Sequence, residues 1–223
     1  MSNQRKLVFV NGGYYHVFNR GIDRRITFHD KREYSRAMNL LSFYQYNNIP
    51  TRYSQFSILS EEIQRKRFET MVASGKIVDV IAYCLMPNHF HLLLKQTKEK
   101  GIATYTANFM NAYTKYFNTK HERTGPLFQG IFKAIYVETD EQLTHLTRYI
   151  HLNPVTSSLI KPEQLDTFPW SSYHAYKKNS KDDLVSHETI TSIRTLAPNY
   201  ENFVKDQISY AKELDKIKHL TFE

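Results

Sequence analysis

The sequence predicts an α+β fold in which an antiparallel sheet carries helices on one face. Short segments rich in β-branched and aromatic residues alternate with longer segments whose apolar residues recur at helical spacing. Two strand segments are separated only by Pro87-Asn88, a connection so tight that it favours an antiparallel hairpin. The chain has 223 residues, 41% of them hydrophobic, and is therefore long enough to bury one sizeable core.

Strands and helices can be assigned in order from these patterns. The strand segments are bounded by turn residues and are predicted at 14–20, about 77–86, 89–96 and 131–137. Helices are marked by capping residues as well as by apolar spacing. They are predicted from Asp30 to about Asn47, from Ser60 to Ser74-Gly75, over 103–120, and from Thr139 to Asn153, where Pro154 should end the helix.

The order of these elements matches a known architecture once the extra helix at about 60–74 is left out. It is then β-α-β-β-α-β, the plan of a ferredoxin-like (RRM-like) domain, whose antiparallel sheet carries its helices on one face. The other face of the sheet should be free for a ligand.

The C-terminal part differs from the rest in composition. Trp170 should fold its segment back onto the domain, and from Lys181 onward the chain becomes acidic and polar. Two amphipathic helices separated by Pro198 are predicted there from their apolar residues: Ile190, Ile193 and Leu196, then Phe203, Ile208, Ala211 and Leu214. We therefore expect a catalytic domain over residues 1–178 and a helical extension over 179–223.

Charge and cysteine content restrict the function classes. The net charge is +8, and the positive excess lies in the first 180 residues, so a polyanionic partner is favoured. The single cysteine, Cys84, excludes an internal disulfide and a thiolate zinc cluster. No apolar run approaches the roughly 18 residues that cross a bilayer, and a soluble, unprocessed, cytoplasmic protein is the default expectation.

His89 and His91 form a candidate metal-binding pair. Alternate residues of a strand point to the same face, so the two imidazoles lie on one side and Phe90 on the other, where it should contact the helices and fix the strand. Neutral imidazole is the commonest metal ligand in proteins. By itself the pair could equally be two ordinary histidines, because the chain has ten.

Tyr149 and Asn153 form the second candidate set. Leu143, Leu146 and Ile150 make the buried stripe of the last predicted helix of the domain. At 100° per residue, a second stripe containing Tyr149 and Asn153 is centred roughly 80° away, at the border of the core. The helix could therefore aim both residues towards the strand histidines. Tyr44 and Asn48 repeat the same spacing, so location, not spacing, singles out this pair.

Phosphoryl chemistry on nucleic acid would explain these features together. A divalent ion on His89 and His91 would stabilise the charge that develops at phosphorus, with the Asn153 side-chain oxygen as a third ligand. The Tyr149 hydroxyl would attack phosphorus and form a covalent phosphotyrosine, preserving the phosphodiester energy for a later joining step.

Four sequence blocks also resemble a known family. They are Tyr15-His16-Val17-Phe18-Asn19-Arg20-Gly21, Met86-Pro87-Asn88-His89-Phe90-His91-Leu92, Gly125-Pro126-Leu127-Phe128-Gln129-Gly130 and Arg148-Tyr149-Ile150-His151-Leu152-Asn153-Pro154-Val155. In this order they resemble the blocks of single-tyrosine HUH transposases, and most closely the REP-associated tyrosine transposases (RAYT). The segment Pro169-Trp170-Ser171-Ser172-Tyr173 is similar to the one that follows in that group, so the resemblance covers about residues 13–176.

The resemblance implies an activity and a set of site residues. It implies a Mg²⁺ or Mn²⁺ ion on His89 and His91, Asn153 as third ligand and Tyr149 as nucleophile. It also implies a single-stranded DNA substrate, often beside a hairpin, a 5′-phosphotyrosine intermediate and a freed 3′-hydroxyl. Members often have arginine where this chain has Ile131, the helix at 60–74 resembles an insertion, and residues 180–223 have no counterpart.

The predicted function is therefore metal-dependent nicking and joining of single-stranded DNA. The proposed DNA contacts are Arg20, Arg24, Arg25, Arg123, Lys133 and His16, although His16 could equally be a packed strand residue. Two alternatives stay open: a non-catalytic nucleic-acid-binding protein on the same fold, with sheet aromatics stacking on bases, and a hydrolase that uses a metal-activated water. The sequence does not decide between a monomer and a homodimer.

Overall fold

Four strands form one antiparallel sheet in a computed structural model that describes residues 7–177 and 182–208. The strands are β1 (Tyr14–Arg20), β2 (Val78–Met86), β3 (His89–Gln96) and β4 (Lys133–Val137). They lie in the order β2-β3-β1-β4, so β1 and β3 are the central strands. The predicted α+β fold with an antiparallel sheet is confirmed.

Seven α-helices connect and follow these strands in the described part of the chain. They are α1 (Lys31–Tyr44), α2 (Tyr53–Phe56), α3 (Glu61–Ala73), α4 (Gly101–Lys120), α5 (Asp140–Thr156), α6 (His187–Leu196) and α7 (Tyr200–Lys205). Short 3-10 turns cover Ile22–Arg24, Pro162–Thr167 and Ser172–Tyr176. The short helix α2 was not predicted, because four residues are too few to show a helical period.

The predicted helix starts at Asp30, Ser60 and Thr139 are confirmed, two of them with a side-chain capping bond. The Asp30 carboxylate accepts a hydrogen bond from the backbone N–H of Glu33 at 2.9 Å, and Ser60 stands at the N-cap of α3. At α5, the Thr139 hydroxyl accepts from the N–H of Gln142 at 3.1 Å. The Gln142 side-chain oxygen accepts a hydrogen bond from the N–H of Glu138 at 2.9 Å, so Thr139 and Gln142 together satisfy backbone donors at the start of the helix.

The two faces of the sheet are covered differently. On the Phe90 face, the ring of Phe90 packs against Phe109 of α4, and α4 is tied to α1 by a bond from the Tyr105 hydroxyl to the Leu41 carbonyl at 3.1 Å. On the opposite face, the ring of Tyr149 in α5 lies 5.8 Å from that of His91. Helix α5 therefore covers part of the face that we expected to be free, because its own apolar stripe also has to be buried.

Helix α5 runs further than the sequence predicted. We expected Pro154 to end it at Asn153, but the helix continues to Thr156. Leu152 and Val155 on this last turn are buried at 2% and 0% exposure, and the N–H of Ser157 bonds to the Asn153 carbonyl at 3.0 Å. Burial of this turn outweighs the local preference of a residue that precedes proline.

The C-terminal part packs back onto the sheet edge and α5. The N–H of Ser186 donates to the Val80 carbonyl at 2.8 Å, and the Tyr83 hydroxyl donates to Asp182 at 2.8 Å. Trp170 stacks on Tyr34 with ring centroids 4.7 Å apart, as expected of an anchor. Helices α6 and α7 lie on either side of Pro198, as predicted, but α7 ends at Lys205, before Ile208. Lys181, Ala211 and Leu214 lie outside the described residues. The domain boundary at residue 178 stays a prediction.

His151 should make the stability of this packing depend on pH. It is fully buried between the Tyr200 hydroxyl and the Ser172 hydroxyl, each 2.8 Å from one ring nitrogen, and burial lowers its pKa to about 3. The unfolded chain binds a proton below the ordinary pKa of about 6.5, whereas the folded chain does not. Its contribution to stability is therefore present above pH 6.5 and is lost as the pH falls towards 3.

Between pH 7 and pH 5 the contribution of His151 to the free energy of unfolding should fall by about 2 kcal/mol. Urea unfolding at both pH values measures it, and in His151→Gln the difference between the two free energies should shrink by about that amount. His145→Gln is the matched control, because that side chain is 50% exposed. An unchanged pH difference in His151→Gln would contradict the prediction.

No helix within residues 7–177 and 182–208 has both the length and the apolar character needed to cross a membrane.

Candidate active site

A cavity of about 450 Å³ lies between α5 and the sheet face opposite Phe90. Its lining includes the four residues that the sequence singled out for chemistry, which are His89, His91, Tyr149 and Asn153. The first two come from β3 and the last two from α5, some sixty residues later. The tertiary structure therefore brings the two candidate sets into one site.

The β3 strand holds the two histidines side by side. Their ring centroids lie 5.0 Å apart, whereas Phe90 between them points to the other face and is fully buried. The Phe90 ring contacts Phe109 at 5.3 Å and Phe128 at 5.6 Å. Phe90 thus fixes the strand that presents the histidines, as predicted.

Hydrogen bonds orient both imidazole rings. Nδ1 of His89 lies 2.6 Å from the side-chain oxygen of Asn88, and Nδ1 of His91 lies 2.9 Å from Nε2 of His16 on the neighbouring strand. In metal sites a bond at one ring nitrogen fixes the tautomer and turns the other nitrogen to the ion. Nε2 is therefore the atom through which His89 and His91 would each bind a metal ion.

Burial keeps His89 and His16 neutral at pH 7, because it lowers the pKa of both rings. Burial, together with the smaller effect of the nearby positive charge of Arg20, lowers the pKa of His89 to about 4. Burial also lowers the pKa of His16 to about 4. At pH 7 the ring of His89 is thus in the neutral form that binds metals. Nε2 of the neutral His16 ring can accept a hydrogen bond from Nδ1 of His91.

Tyr149 and Asn153 stand one helical turn apart on the side of α5 that faces these histidines. The tyrosine ring is 42% exposed and lies edge-on to His16 at 6.2 Å and to His91 at 5.8 Å, which agrees with its predicted border position. Asn153 is 7% exposed, and its Nδ2 donates to the Tyr149 carbonyl at 2.9 Å. Its side-chain oxygen is therefore the atom suited to a cation.

The proposed DNA contacts divide into three groups. Arg20 and Lys133 line the cavity, and Arg20 is the strand partner of His89. Arg24 and Arg25 are exposed on the turn after β1 and are not among the lining residues. Arg123 holds its own loop, since it donates to the Asn118 side chain at 2.7 Å and to the Pro126 carbonyl at 3.0 Å.

His16 is a packed residue and not a surface one. It is 7% exposed and stacks on His91 with ring centroids 5.1 Å apart. Of the two readings of the sequence, the structure agrees with the packed strand histidine. The reason is that β1 is central in the sheet, and the His16 ring contacts His91 of β3 and Tyr149 of α5.

Five residues that line the cavity were not predicted as site residues: Phe18, Asn19, Gln129, Thr156 and Ser157. Phe18 lines the cavity and stacks on His91 at 5.9 Å, and Gln129 lines it from the loop before β4. Phe18 could have been found, because strand alternation places it on the same face as His16. Gln129 follows no periodic pattern, so the sequence offered no comparable signal.

A separate cluster joins His29, Glu33 and His121, whose ligand atoms all lie within 4.8 Å of one another. Its Glu33 carboxylate is buried and bonds to the Lys120 ammonium at 2.7 Å and to His121 at 2.6 Å. These partners lower the pKa of Glu33 against the opposing effect of its burial. We interpret the cluster as an ionic tie between the start of α1 and the end of α4.

Comparison with known proteins finds one similar family and one similar fold. Residues 44–153 match the family model described as IS200-like transposase, whereas no curated protein matches the sequence. Nine chains of solved structures match. One is the structure of a REP-associated tyrosine transposase bound to a REP hairpin, 15% identical, covering 85% of this chain and 93% of that chain with a TM-score of 0.52. At that identity the match shows the fold.

A second solved structure, from Deinococcus radiodurans, is 16% identical and covers 67% of this chain and 95% of that chain. Its TM-score of 0.34 is too low to bear on the fold. The matched family range includes both cavity histidines and Tyr149, and it ends at Asn153. This range and the confirmed fold make the chain similar to the IS200-like transposase family.

Proposed function

We propose that the chain nicks and rejoins single-stranded DNA through a covalent 5′-phosphotyrosine on Tyr149, in the manner implied by its resemblance to REP-associated tyrosine transposases. The observation that carries the proposal is the single cavity that contains Tyr149, His89, His91 and Asn153. Neither the histidine pair nor the pair of Tyr149 and Asn153 would support this reaction alone. Together they offer a nucleophile, a cation site and, in Arg20 and Lys133, positive charge for phosphate.

The side chains of the cavity fit a divalent ion of the Mg²⁺ or Mn²⁺ type. Two imidazole nitrogens and a carboxamide oxygen are neutral ligands, so the ion would keep its full charge next to a phosphate. When bound by His89, His91 and Asn153, such an ion supplies a Lewis acid that polarises a phosphate oxygen. The hydrogen bonds at Nδ1 of both histidines are the orienting contacts that metal ligands require.

The reaction of the chain itself is an exchange of one phosphate ester for another. The Tyr149 hydroxyl oxygen attacks phosphorus, the bond from phosphorus to the 3′ oxygen breaks, and the phosphate stays attached through its 5′ side. The tyrosine loses its proton and the leaving 3′ oxygen gains one. Attack by a 3′-hydroxyl on the phosphotyrosine reverses the step, which is how a new joint would form.

A hairpin-bearing strand is the proposed partner, and the similar structure holds a REP hairpin. The test uses a pool of labelled single strands with a fixed hairpin stem and randomised flanks, so that favoured sequences are represented. We expect a covalent adduct that requires Mg²⁺ or Mn²⁺ and resists denaturation. Peptide mapping should find the nucleotide on Tyr149. Binding that chelator leaves unchanged, without any adduct, would instead favour the non-catalytic binding protein.

His16 should act as a positioning residue for His91. His16→Phe removes the 2.9 Å contact to Nδ1 of His91, so the His91 ring loses its fixed orientation. Loss of such an orienting contact typically weakens metal affinity 10–100-fold. We expect the Mn²⁺ concentration for half-maximal adduct formation to rise by about this factor, with the rate largely restored at excess Mn²⁺.

The conservative variant His16→Gln can still offer a polar atom to His91 and should recover part of the affinity. If the Mn²⁺ requirement of His16→Phe equalled that of wild type, His16 would be only a packing residue.

A further inference from the structure

A second, larger cavity lies on the helical side of the molecule. It measures about 880 Å³ and is lined by residues of α1, of the segment 49–54 that contains the start of α2, and of α4. Because α4 packs on the Phe90 face of the sheet, the sheet itself separates this groove from the cavity that holds Tyr149. A ligand here would not occupy the candidate active site.

The groove concentrates positive charge without a counter-charge. Arg36, Arg52 and Lys115 line it, and no aspartate or glutamate is among its lining residues. Within the described part of the chain, none of these three cations takes part in a salt bridge. By contrast, Lys66 on the neighbouring helix α3 pairs with Glu62 at 2.7 Å. Unpaired cations that converge on a concave surface favour an anionic ligand.

Aromatic rings give the groove a second kind of contact. The Arg36 guanidinium lies between two tyrosine rings, 5.0 Å from the centroid of Tyr53 and 4.7 Å from that of Tyr116. Contact with two rings restricts the movement of the guanidinium, whose N–H groups can bind a phosphate. The rings themselves are surfaces on which a nucleobase can stack. Asn108 and Asn111 add amide groups that can bond to base edges.

We propose that this groove is a second binding site, specific for nucleotides. The phosphate would bind to Arg36, Arg52 and Lys115, and the base would stack beside Tyr53 or Tyr116. The volume lies within the range of ordinary small-ligand pockets, so the groove holds one or two nucleotide units. These units belong either to a single strand that passes over the helices or to a free nucleotide.

The site does not depend on the proposed chemistry at Tyr149. An inactive Tyr149→Phe protein should bind nucleotides in the groove as well as wild type does. If the phosphotyrosine reaction were disproved, the proposed nucleotide site would be unaffected. If the nucleotide site were disproved, the proposed reaction would be unaffected.

The first experiment measures binding of a fluorescein-labelled, hairpin-free twelve-nucleotide strand by anisotropy in the Tyr149→Phe protein with chelator present. The test variant is Arg52→Gln/Lys115→Gln, because both side chains are exposed and neither belongs to the ring stack. We expect at least a tenfold loss of affinity and a salt dependence shallower by about 1.4 in log–log slope, the effect of two phosphate contacts on a single strand. The matched control is Arg65→Gln/Arg67→Gln, which removes the same charge from α3 outside the groove.

The second experiment locates the strand directly. A strand containing 5-iododeoxyuridine is cross-linked by light to the same protein, and peptides that contain Tyr53 or Tyr116 should carry the label. Competition by millimolar deoxyadenosine monophosphate would assign the groove to free nucleotides, whereas competition by oligonucleotides alone would assign it to a strand. Equal losses in test and control variants, with cross-links confined to peptides of the Tyr149 cavity, would overturn the proposal.

Discussion

Tyr149→Phe should abolish the covalent protein–DNA adduct, a loss on the order of 10⁴-fold or more, since no other group can take the place of a missing nucleophile. DNA binding should stay within about threefold of wild type, because one exposed oxygen adds little to a charge-dominated contact. Folding should also be unaffected, since the ring is 42% exposed and is retained in phenylalanine. Adduct yield on a denaturing gel, with binding measured in parallel, checks both statements.

Tyr136→Phe is the matched control for this variant. Tyr136 of β4 is also 42% exposed, but its ring packs on Tyr15 and does not line the cavity. It should form the adduct at the wild-type rate. Cleavage that survives in Tyr149→Phe without an adduct would point to an activated water instead. An adduct in that variant would show that another residue is the nucleophile.

His91→Ala should reduce adduct formation by about 10²–10³-fold, the usual loss when one group that stabilises developing charge is removed. The effect has two causes. The variant deletes one of the proposed ligands, and it leaves the buried Nε2 of His16 without its partner at 2.9 Å. Mn²⁺ binding, followed by electron paramagnetic resonance, should weaken in parallel. Unlike His16→Phe, this variant should not recover at excess Mn²⁺, because the ligand itself is gone.

His187→Ala serves as the control, since His187 is exposed at the start of α6 and lies outside the cavity. It should retain wild-type activity and Mn²⁺ binding. Full activity of His91→Ala in the presence of chelator would rule out the role proposed for the ion. Reduced DNA binding with no change in Mn²⁺ binding would instead assign His91 to the DNA contact.

Local sequence patterns were sufficient to predict many of the strand faces, helix faces and helix starts of this protein. Strand alternation placed His89 and His91 on one face and Phe90 on the other, and the structure confirms it. Helical spacing put Tyr149 and Asn153 on one side of α5. Capping residues located the starts of α1 and α3. All these features depend on residues within a few positions of one another, so the sequence determines them without reference to the rest of the chain.

Other features needed the tertiary structure because they depend on residues far apart in sequence. The pairing of β1 with β3 sets His16 against His91, a contact across 75 positions, and no local pattern contains that register. Burial of Leu152 and Val155 carries α5 past Pro154, against the local preference.

The groove around Arg36 likewise became visible only when α1, α2 and α4 were packed together. The sequence by itself thus determined which residues share a strand or helix face, because that follows from backbone geometry. Only the tertiary structure decided which faces meet, because packing energy is summed over the whole core and can outweigh the preference of any single residue.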